Sequence, residues 1–386
     1  MRPLPLVIIL LVLDHIAFSG SRVTVSLYAI HQGESALTVG TLLALYALLP
    51  ALLSVSAGRW IDRVGMEKPL LLGSVTVCIG TLLPFLIPGL TVLYATSIIV
   101  GVAFMLINVA AYHAVGELSP PEYRAVNFSY VAMGFSTSAF IAPILSGVGI
   151  DNFGHRTTFL LLAAFTLLPI LALSLKLVPL PVPTPRPHDA PTGNILDLLR
   201  DARLRQLFIT MAILTVAWDV YAFAIPVHGT NIGLSASEIG LVMATFAAAT
   251  FTVRVATPFF INRIAPWSML VASLFIAGIS FLGLPFTTNV GTMMAIMFLL
   301  GLGLGAPQPM VMMLLHDAAP AGRAGEALGL RTTLINGSQT VMPLLFGAVG
   351  AALGMGPVFW SIALVLVGGG VFAQRVKHAQ ENPAKS

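Results

Sequence analysis

Long apolar runs alternate with short polar turns along the whole chain. An apolar stretch of ~20 residues spans the hydrocarbon core of a bilayer as a helix. Inside lipid every backbone polar group must bond internally, which favours helices over irregular structure. The runs therefore predict an all-α membrane protein with twelve transmembrane helices. We place these helices at about 4–30, 37–57, 69–90, 92–114, 125–150, 157–178, 204–229, 236–258, 267–287, 291–315, 326–353 and 357–374.

One long polar connection divides the chain near its middle. Its first half is rich in proline, which cannot continue a helix interior. From Asn194, a suitable N-cap residue, the pattern predicts a short amphipathic helix on the membrane surface. We therefore expect a six-helix bundle over 1–178, a linker over 179–203, a second six-helix bundle over 204–378 and a tail over 379–386.

The two predicted bundles repeat each other at a constant offset of 200 residues. The offset relates glycine to glycine, proline to proline, and the triplet 61–63 (IDR) to 261–263 (INR). A constant offset over such a length indicates that six helices were duplicated in parallel. Parallel repeats of this kind are related by an axis along the membrane normal, and substrate sites lie at the interface between them. Matching positions include Gly33 and Gly233, Gly40 and Gly240, Gly101 and Gly301, Pro143 and Pro343, and Gly154 and Gly354.

A charged segment, 58–68 (GRWIDRVGMEK), separates the second and third predicted helices. It resembles the signature loop of the major facilitator superfamily, although Glu67 stands where a basic residue is usual. The resemblance implies two pseudo-symmetric six-helix bundles that transport solute by alternating access. It also implies that the signature residues control conformation. The matching residues are Gly58, Asp62, Arg63, Gly65 and Lys68.

Composition and charge strengthen the membrane prediction. Hydrophobic residues make up 57% of the chain and charged residues 9%, against about 25% charged residues in soluble domains. With the N-terminus in the cytoplasm, 15 of the 19 Lys and Arg residues fall in cytoplasmic segments. This bias follows the positive-inside rule. We therefore expect both termini in the cytoplasm of a cell with a bacterial-type inner membrane. The net charge of +4 then reflects orientation in the membrane, and we expect no nucleic-acid partner.

Charged residues inside predicted spans are the first candidates for chemistry, because a charge at the bilayer centre costs at least about 2.5–3.5 kcal/mol. Arg22 lies on the first helix, and Asp219 lies at the equivalent depth on the seventh. We expect them to face the central passage and to interact across the two bundles. Asp219 or Asp14 would carry the proton, and Arg22 could hold an anionic group of the solute. The competing interpretation is a structural ion pair that does not titrate.

Polar and aromatic residues near the same depth are further candidates for the solute site. Trp218 and Tyr221 flank Asp219, although each could equally serve helix packing. Asn108 and Gln308 are equivalent under the repeat, which suggests hydrogen-bonding groups lining the passage or joining helices. Ser97 stands where the drug-efflux branch of the superfamily has an arginine, so that branch is matched incompletely.

A second set of charges is expected to control the conformational change. The loops 117–124 and 317–323 are repeat copies that carry both acids and bases, including Glu122 and Arg124. They could pair with Asp62 and Arg63 when the cytoplasmic side is closed. Arg331 and Arg254 lie near the cytoplasmic ends of their helices. There we favour contacts with a gate or with lipid headgroups over a role in substrate binding.

The functional prediction is secondary transport. The sequence contains no catalytic motif, nucleotide-binding loop or disulfide framework, so we expect no enzyme and no cofactor beyond a proton gradient. The solute would be a small organic molecule, moved by proton-coupled efflux through a monomer in the lipid bilayer. The alternatives are proton-linked uptake of an organic anion, an uncoupled facilitator, and, from another class, a membrane-embedded enzyme or scaffold.

Overall fold

The computed structural model describes residues 3–120, 123–180, 196–260, 263–318 and 324–381. Every regular element in this part of the chain is helical. The helices are α1 (Pro3–His31), α2 (Ala36–Val64), α3 (Glu67–Leu86), α4 (Leu90–Leu118), α5 (Arg124–Ser174), α6 (Leu196–Arg200), α7 (Ala202–Asn231), α8 (Ala236–Phe260), α9 (Pro266–Gly283), α10 (Val290–Gly305), α11 (Pro307–Ala318), α12 (Ala324–Leu353) and α13 (Met355–Glu381).

These helices make twelve membrane crossings. Ten stretches in the described part of the chain are long and apolar enough to span a bilayer. One of them, α5, is two crossings, because it reverses direction at Gly154, where φ is 80°. The 30-residue α12 adds the twelfth. The helices α10 and α11 form one crossing, interrupted before Pro307, which cannot donate a backbone hydrogen bond.

The 200-residue repeat is visible in backbone geometry. Gly33 and Gly233 both end a helix with positive φ, at 81° and 82°. Gly154 and Gly354 both have a φ of 80°. Only glycine adopts this conformation without strain. The two halves of the chain therefore reverse direction at equivalent points, and they form two pseudo-symmetric six-helix bundles.

The bundles pack tightly at the membrane face that carries the Gly33 and Gly233 turns, which we call the far face. A Cβ atom added to Gly40 would lie 2.1 Å from the Pro343 carbonyl oxygen, and one added to Gly240 would lie 2.3 Å from that of Pro143. The two contacts are related by the repeat. Glycine thus allows the backbone of α2 to pack directly against that of α12, and the backbone of α8 against that of α5. This close packing closes the far face.

The opposite face, which carries both ends of the described chain and is called the terminal face, is open between the bundles. Tyr112 on α4 lies within Coulombic range of arginines on α8 and α12, yet 38% of its surface is exposed. A Cβ atom added to Gly58 or Gly337 would meet nothing within 4 Å. The two bundles therefore pack less closely at these positions of the terminal face than they do at the far face.

Some boundaries differ from those predicted. The second helix was expected to end near residue 57, but α2 continues through the signature segment to Val64 and ends at Gly65, where φ is 84°. The surface helix was expected over 195–203, whereas α6 covers only Leu196–Arg200. Asp201 then accepts hydrogen bonds from Arg203 N and Leu204 N, and this cap starts α7. The rest of the linker, 181–195, lies outside the described residues.

Candidate functional site

Arg22 and Asp219 interact electrostatically across the interface between the two bundles. Arg22 lies on α1, Asp219 lies on α7, and the two groups attract each other electrostatically. Asp219 is 7% exposed and Arg22 is half-buried. The Nε atom of Arg22 is buried without a hydrogen-bond partner among the described residues. The sequence predicted an interaction between these residues from the 200-residue offset, which places Asp219 opposite Ser19, and their role in transport stays a prediction.

Aromatic rings from both bundles surround the charged pair. Phe18 and Tyr46 lie in the first bundle with centroids 5.7 Å apart and planes at 80°. Their equivalents in the repeat, Trp218 and Phe246, lie 5.0 Å apart at 75°. The guanidinium carbon of Arg22 is 5.8 Å from the Phe18 ring and 6.0 Å from the Tyr46 ring, which allows cation–π attraction.

Tyr221 completes this group of residues, which we call the central site. Its ring stacks on Phe246 at a centroid distance of 3.9 Å, and its hydroxyl lies 3.4 Å from the Met243 carbonyl oxygen. Tyr221 is therefore a buried wall of the site. The central site thus combines one cation and one carboxylate with flat apolar surfaces, the composition typical of pockets for small organic molecules. Its members are Phe18, Arg22, Tyr46, Trp218, Asp219, Tyr221 and Phe246.

The Asp219 carboxylate is held from α12. Ser338 donates a hydrogen bond to Asp219 Oδ2 at 2.6 Å. The equivalent serine of the first bundle, Ser138, is paired with His15 on α1. In both bundles a serine on the fifth helix thus fixes a titratable group on the first helix, but only the second bundle places a carboxylate at this contact.

Asp14 lies elsewhere. Its Oδ2 atom accepts a hydrogen bond from Ser74 on α3 at 2.7 Å, and its Oδ1 atom has no partner among the described residues. Only 2% of Asp14 is exposed. The structure therefore buries this carboxylate inside the first bundle, hydrogen-bonded to α3, and does not bring it to water.

The predicted pair Asn108 and Gln308 takes two different positions. Asn108 is half-buried on α4, whereas Gln308 is exposed at the start of α11. Gln308 Oε1 accepts a hydrogen bond from Arg254 Nη2 at 2.9 Å, and Arg254 Nη1 donates to Ser136 on α5 at 2.8 Å. Arg254 therefore joins the two bundles, and its neighbours include Gln308 but not the central site.

The predicted conformational residues lie at the terminal face. Gly58 is part of α2, Gly65 ends that helix, and Arg63 and Lys68 are exposed. Arg331 is half-buried on α12, with a buried Nε atom that has no described partner. The expected charge pairing across the loops falls outside the described residues: Glu122 is among those not described, as are the side chains of Asp62 and Arg124. It stays a prediction.

Known proteins share this architecture. A family model of the major facilitator superfamily matches residues 7–229 and 207–386, and the two matches together cover both bundles. The chain belongs to the major facilitator superfamily. The superfamily's architecture of two six-helix bundles is the one described above, and its members are transporters.

Individual superfamily relatives are more distant. A tetracycline resistance protein, class C, of Escherichia coli is 26% identical over 84% of this chain and 82% of its own length. Multidrug resistance protein 2 of Bacillus subtilis is 32% identical, but over 34% of this chain and 32% of its own length. Among solved structures, a POT family transporter in complex with a thioalcohol-conjugated peptide has a TM-score of 0.81 at 15% identity, covering 100% of this chain and 97% of its own.

A second solved structure shares the fold. A bacterial homolog of the human lysosomal transporter Spinster, described as inward-facing and unoccupied, has a TM-score of 0.74 at 16% identity and covers 97% of this chain and 95% of its own. At this identity the likeness shows the fold alone. The chain is thus a multi-pass membrane transporter of this superfamily, not an enzyme.

Sequence reasoning missed several members of the site. Tyr46 and Phe246 are buried aromatics on α2 and α8, and no charge nearby in the sequence marks them. Ser338 and Ser136 are single serines on apolar helices. The repeat offered a signal, since Tyr46 and Phe246 are an equivalent aromatic pair, as are Ser138 and Ser338.

Proposed function

We propose that this protein is a proton-coupled secondary transporter that exports a small organic solute by alternating access. The observation that carries the proposal is the electrostatic attraction between Arg22 of the first bundle and Asp219 of the second, which lie among the aromatic residues of the central site. Alternating access requires interactions that exist in one state and break in another. A charge attraction between the bundles is such an interaction.

The coupling depends on competition for Arg22. When Asp219 is ionised, it attracts Arg22. When it takes up a proton, that attraction disappears, while the Ser338 hydroxyl still offers a hydrogen bond. Arg22 is then available to an anionic or strongly polar group of the solute, and the aromatic rings contact its apolar part. Solute and proton therefore alter each other's binding through one guanidinium group.

The direction and the membrane are part of the proposal. Export is supported by the relatives named for drug and tetracycline resistance. Because proton and solute favour each other's binding here, they cross together, so export in this mechanism is driven by the outward gradient of the solute and not by an inward proton gradient. The distribution of Lys and Arg supports cytoplasmic termini, in which case the terminal face is cytoplasmic and the protein lies in an inner membrane. The alternative is proton-linked uptake of an organic anion. The unpartnered Nε atom of Arg22 favours an anion as the solute in either direction.

The test is flux in proteoliposomes, with a solute found first by a thermal-shift screen of the purified protein. An imposed pH gradient should drive solute movement through the wild type. Asp219→Asn should abolish the response to the gradient and still permit solute exchange at equal pH. Arg375→Gln, an exposed change on α13, is the matched control and should behave as the wild type. Gradient-driven flux that persists in Asp219→Asn would refute the coupling.

A further inference from the structure

A polar pocket lies at the far face, where the first bundle reverses direction. The end of α1 and the reversal in α5 form it around a space of about 350 Å³. The rings of His31 and His155 stack there with centroids 4.5 Å apart, and the Tyr28 ring stacks on His155 at 5.1 Å. Arg156 and Phe153 complete the lining. We call these five residues the head pocket.

The head pocket offers hydrogen-bond donors to a ligand. Arg156 Nη2 donates to the Phe85 carbonyl oxygen at 2.5 Å, which fixes the guanidinium group against the end of α3. The imidazole nitrogens of His31 and His155 make no hydrogen bond to any described residue. A guanidinium group binds phosphate oxygens with matched geometry, and an imidazole N–H can add a further bond. The chemistry of the head pocket therefore suits a phosphate group.

An apolar groove continues from the head pocket into the membrane. Phe153 lines both spaces, so they adjoin. The groove has a volume of about 390 Å³ and lies between α3 and the second crossing of α5. Leu160 and Leu167 are 41% and 57% exposed, so the groove is open on the outer side of the helices. Its wall includes Cys78 and Leu82 on α3 and Thr157, Leu160, Ala164 and Leu167 on α5.

The groove is as long as one leaflet is deep. Thr157 and Leu167 are ten residues apart in the sequence, which is about 15 Å along a helix. The hydrocarbon core of a bilayer is about 30 Å thick. On the opposite wall, Cys78 lies eight residues before Leu86, which ends α3 at the far face, or about 12 Å. Both walls therefore run from the head pocket to near the bilayer midplane.

The second bundle lacks this combination. The 200-residue offset places Met355 opposite His155. It places Gly356 opposite Arg156. The second bundle reverses direction at the equivalent glycine without either polar side chain. The fold therefore does not require a histidine and an arginine at this reversal, and a ligand gives a reason for them.

We propose that the head pocket and the groove bind one anionic phospholipid, such as phosphatidylglycerol, from the leaflet at the far face. Its phosphate accepts hydrogen bonds from Arg156 and the two imidazoles, and one acyl chain fills the groove. The occupant is a lipid and not a soluble phosphate, because the pocket leads directly into an apolar groove one leaflet deep. The bound lipid joins α1, α3 and α5, and its binding does not depend on the transported solute.

The test is native mass spectrometry of the full chain, purified in detergent and titrated with phosphatidylglycerol or phosphatidylcholine. One phosphatidylglycerol should bind with a Kd lower than that of phosphatidylcholine by on the order of tenfold. Arg156→Gln should remove this preference, whereas Arg375→Gln, an exposed change on α13, should keep it. Equal Kd values for the two lipids in the wild type, or a preference that survives Arg156→Gln, would overturn the proposal.

The groove is tested by filling it. Ala164→Trp places a large side chain between the walls and should raise the Kd of phosphatidylglycerol by on the order of tenfold, because the acyl chain loses apolar contact. Leu168→Trp is the matched control, since Leu168 is 54% exposed on the same helix and does not line the groove. It should bind lipid as the wild type does. Both changes leave the head pocket intact, so this result stands even if Arg156→Gln does not fold.

A soluble phosphate is the competing occupant, and glycerol phosphate serves as its probe. Without acyl chains it should not displace phosphatidylglycerol when both are present at the same concentration. If it does, or if Ala164→Trp binds phosphatidylglycerol as tightly as the wild type, the groove holds no acyl chain and the lipid site is wrong.

Discussion

At the scale of single residues, Arg22 carries most of the functional argument. A charge near the bilayer centre costs at least about 2.5–3.5 kcal/mol, so an arginine kept there without a hydrogen-bonded partner needs a reason. Arg22 has the Phe18 and Tyr46 rings within cation–π distance and Asp219 within Coulombic range. Its buried Nε atom remains unused, and a solute anion would complete its bonding.

Replacing Arg22 should therefore weaken solute binding. A hydrogen bond to a charged group contributes about 1.5–3 kcal/mol, so Arg22→Gln should raise the Kd of the screened solute by on the order of 10- to 100-fold. Arg22→Lys keeps the charge without the planar donors and should have a smaller effect. Thermal-shift titration of the purified variants measures this change, with Arg375→Gln as the control. An unchanged Kd in Arg22→Gln would remove Arg22 from the solute site.

Sequence reasoning at this scale was limited to charges and to the repeat. It predicted an interaction between Arg22 and Asp219, because the 200-residue offset gives relative depth, and their role in transport stays a prediction. Depth alone does not give the direction in which a side chain points. Asp14 lies on the same helix as Arg22, yet it faces Ser74 inside the first bundle. Rotation of a helix about its axis depends on packing against neighbours, which one sequence does not reveal.

At the scale of helices, close packing through glycine controls the closed far face. Gly40 and Gly240 let two pairs of helices from opposite bundles meet at the carbonyl oxygens of Pro343 and Pro143. The repeat identified these glycines as equivalent, although the sequence did not show which face they close. The charged segment after the second predicted helix looked like a loop, but helix continues to Gly65 because nothing before that glycine forces a positive φ.

Adding side chains at the glycine contacts should open the far face. Gly40→Val in α2 would force its Cβ to within 2.1 Å of a backbone oxygen that cannot rotate away. The distance between spin labels at Gln32→Cys and Thr288→Cys, exposed far-face positions of the two bundles, should increase in double electron–electron resonance. Gly368→Ala, where a Cβ meets nothing within 4 Å, is the control. An unchanged distance in Gly40→Val would contradict the proposed packing.

A polar contact between the bundles also holds the far face closed, and it is present at only one of the two positions related by the repeat. Asp151 accepts hydrogen bonds from Ala236 N at 3.2 Å and Ser237 N at 2.7 Å, so a carboxylate of the first bundle caps the start of α8 in the second. The equivalent position in the repeat is Ala351, which cannot do so. Among the described residues, the far face therefore has a polar contact between the bundles, besides the glycine contacts, that must break before it opens.

Removing this cap should favour the far-face-open state. A cap of this kind contributes about 0.5–2 kcal/mol, so Asp151→Ala should enrich the longer distances between the same two spin labels several-fold. Asn152→Ala is the matched control, because Asn152 bonds only to Val148 O in its own helix. If both variants give the wild-type distance distribution, the Asp151 contact does not hold the face closed.

At the scale of the whole molecule, the sequence predicted the architecture because duplication leaves a record over many positions. Helix number, the two bundles and the equivalence of Gly33 with Gly233 and of Gly154 with Gly354 all follow from that record. The conformation does not. Which face is closed depends on small differences in packing between states, and both states satisfy the same pattern of apolar residues.

The central claim is that solute and proton alter each other's binding through Arg22 and Asp219. The most direct measurement is proton exchange when the solute binds to purified protein in weakly buffered detergent with a pH indicator dye. The wild type should take up protons on binding, since protonation of Asp219 releases Arg22 to the solute. Asp219→Asn should bind solute without proton uptake. Equal proton uptake by wild type and Asp219→Asn would contradict the account.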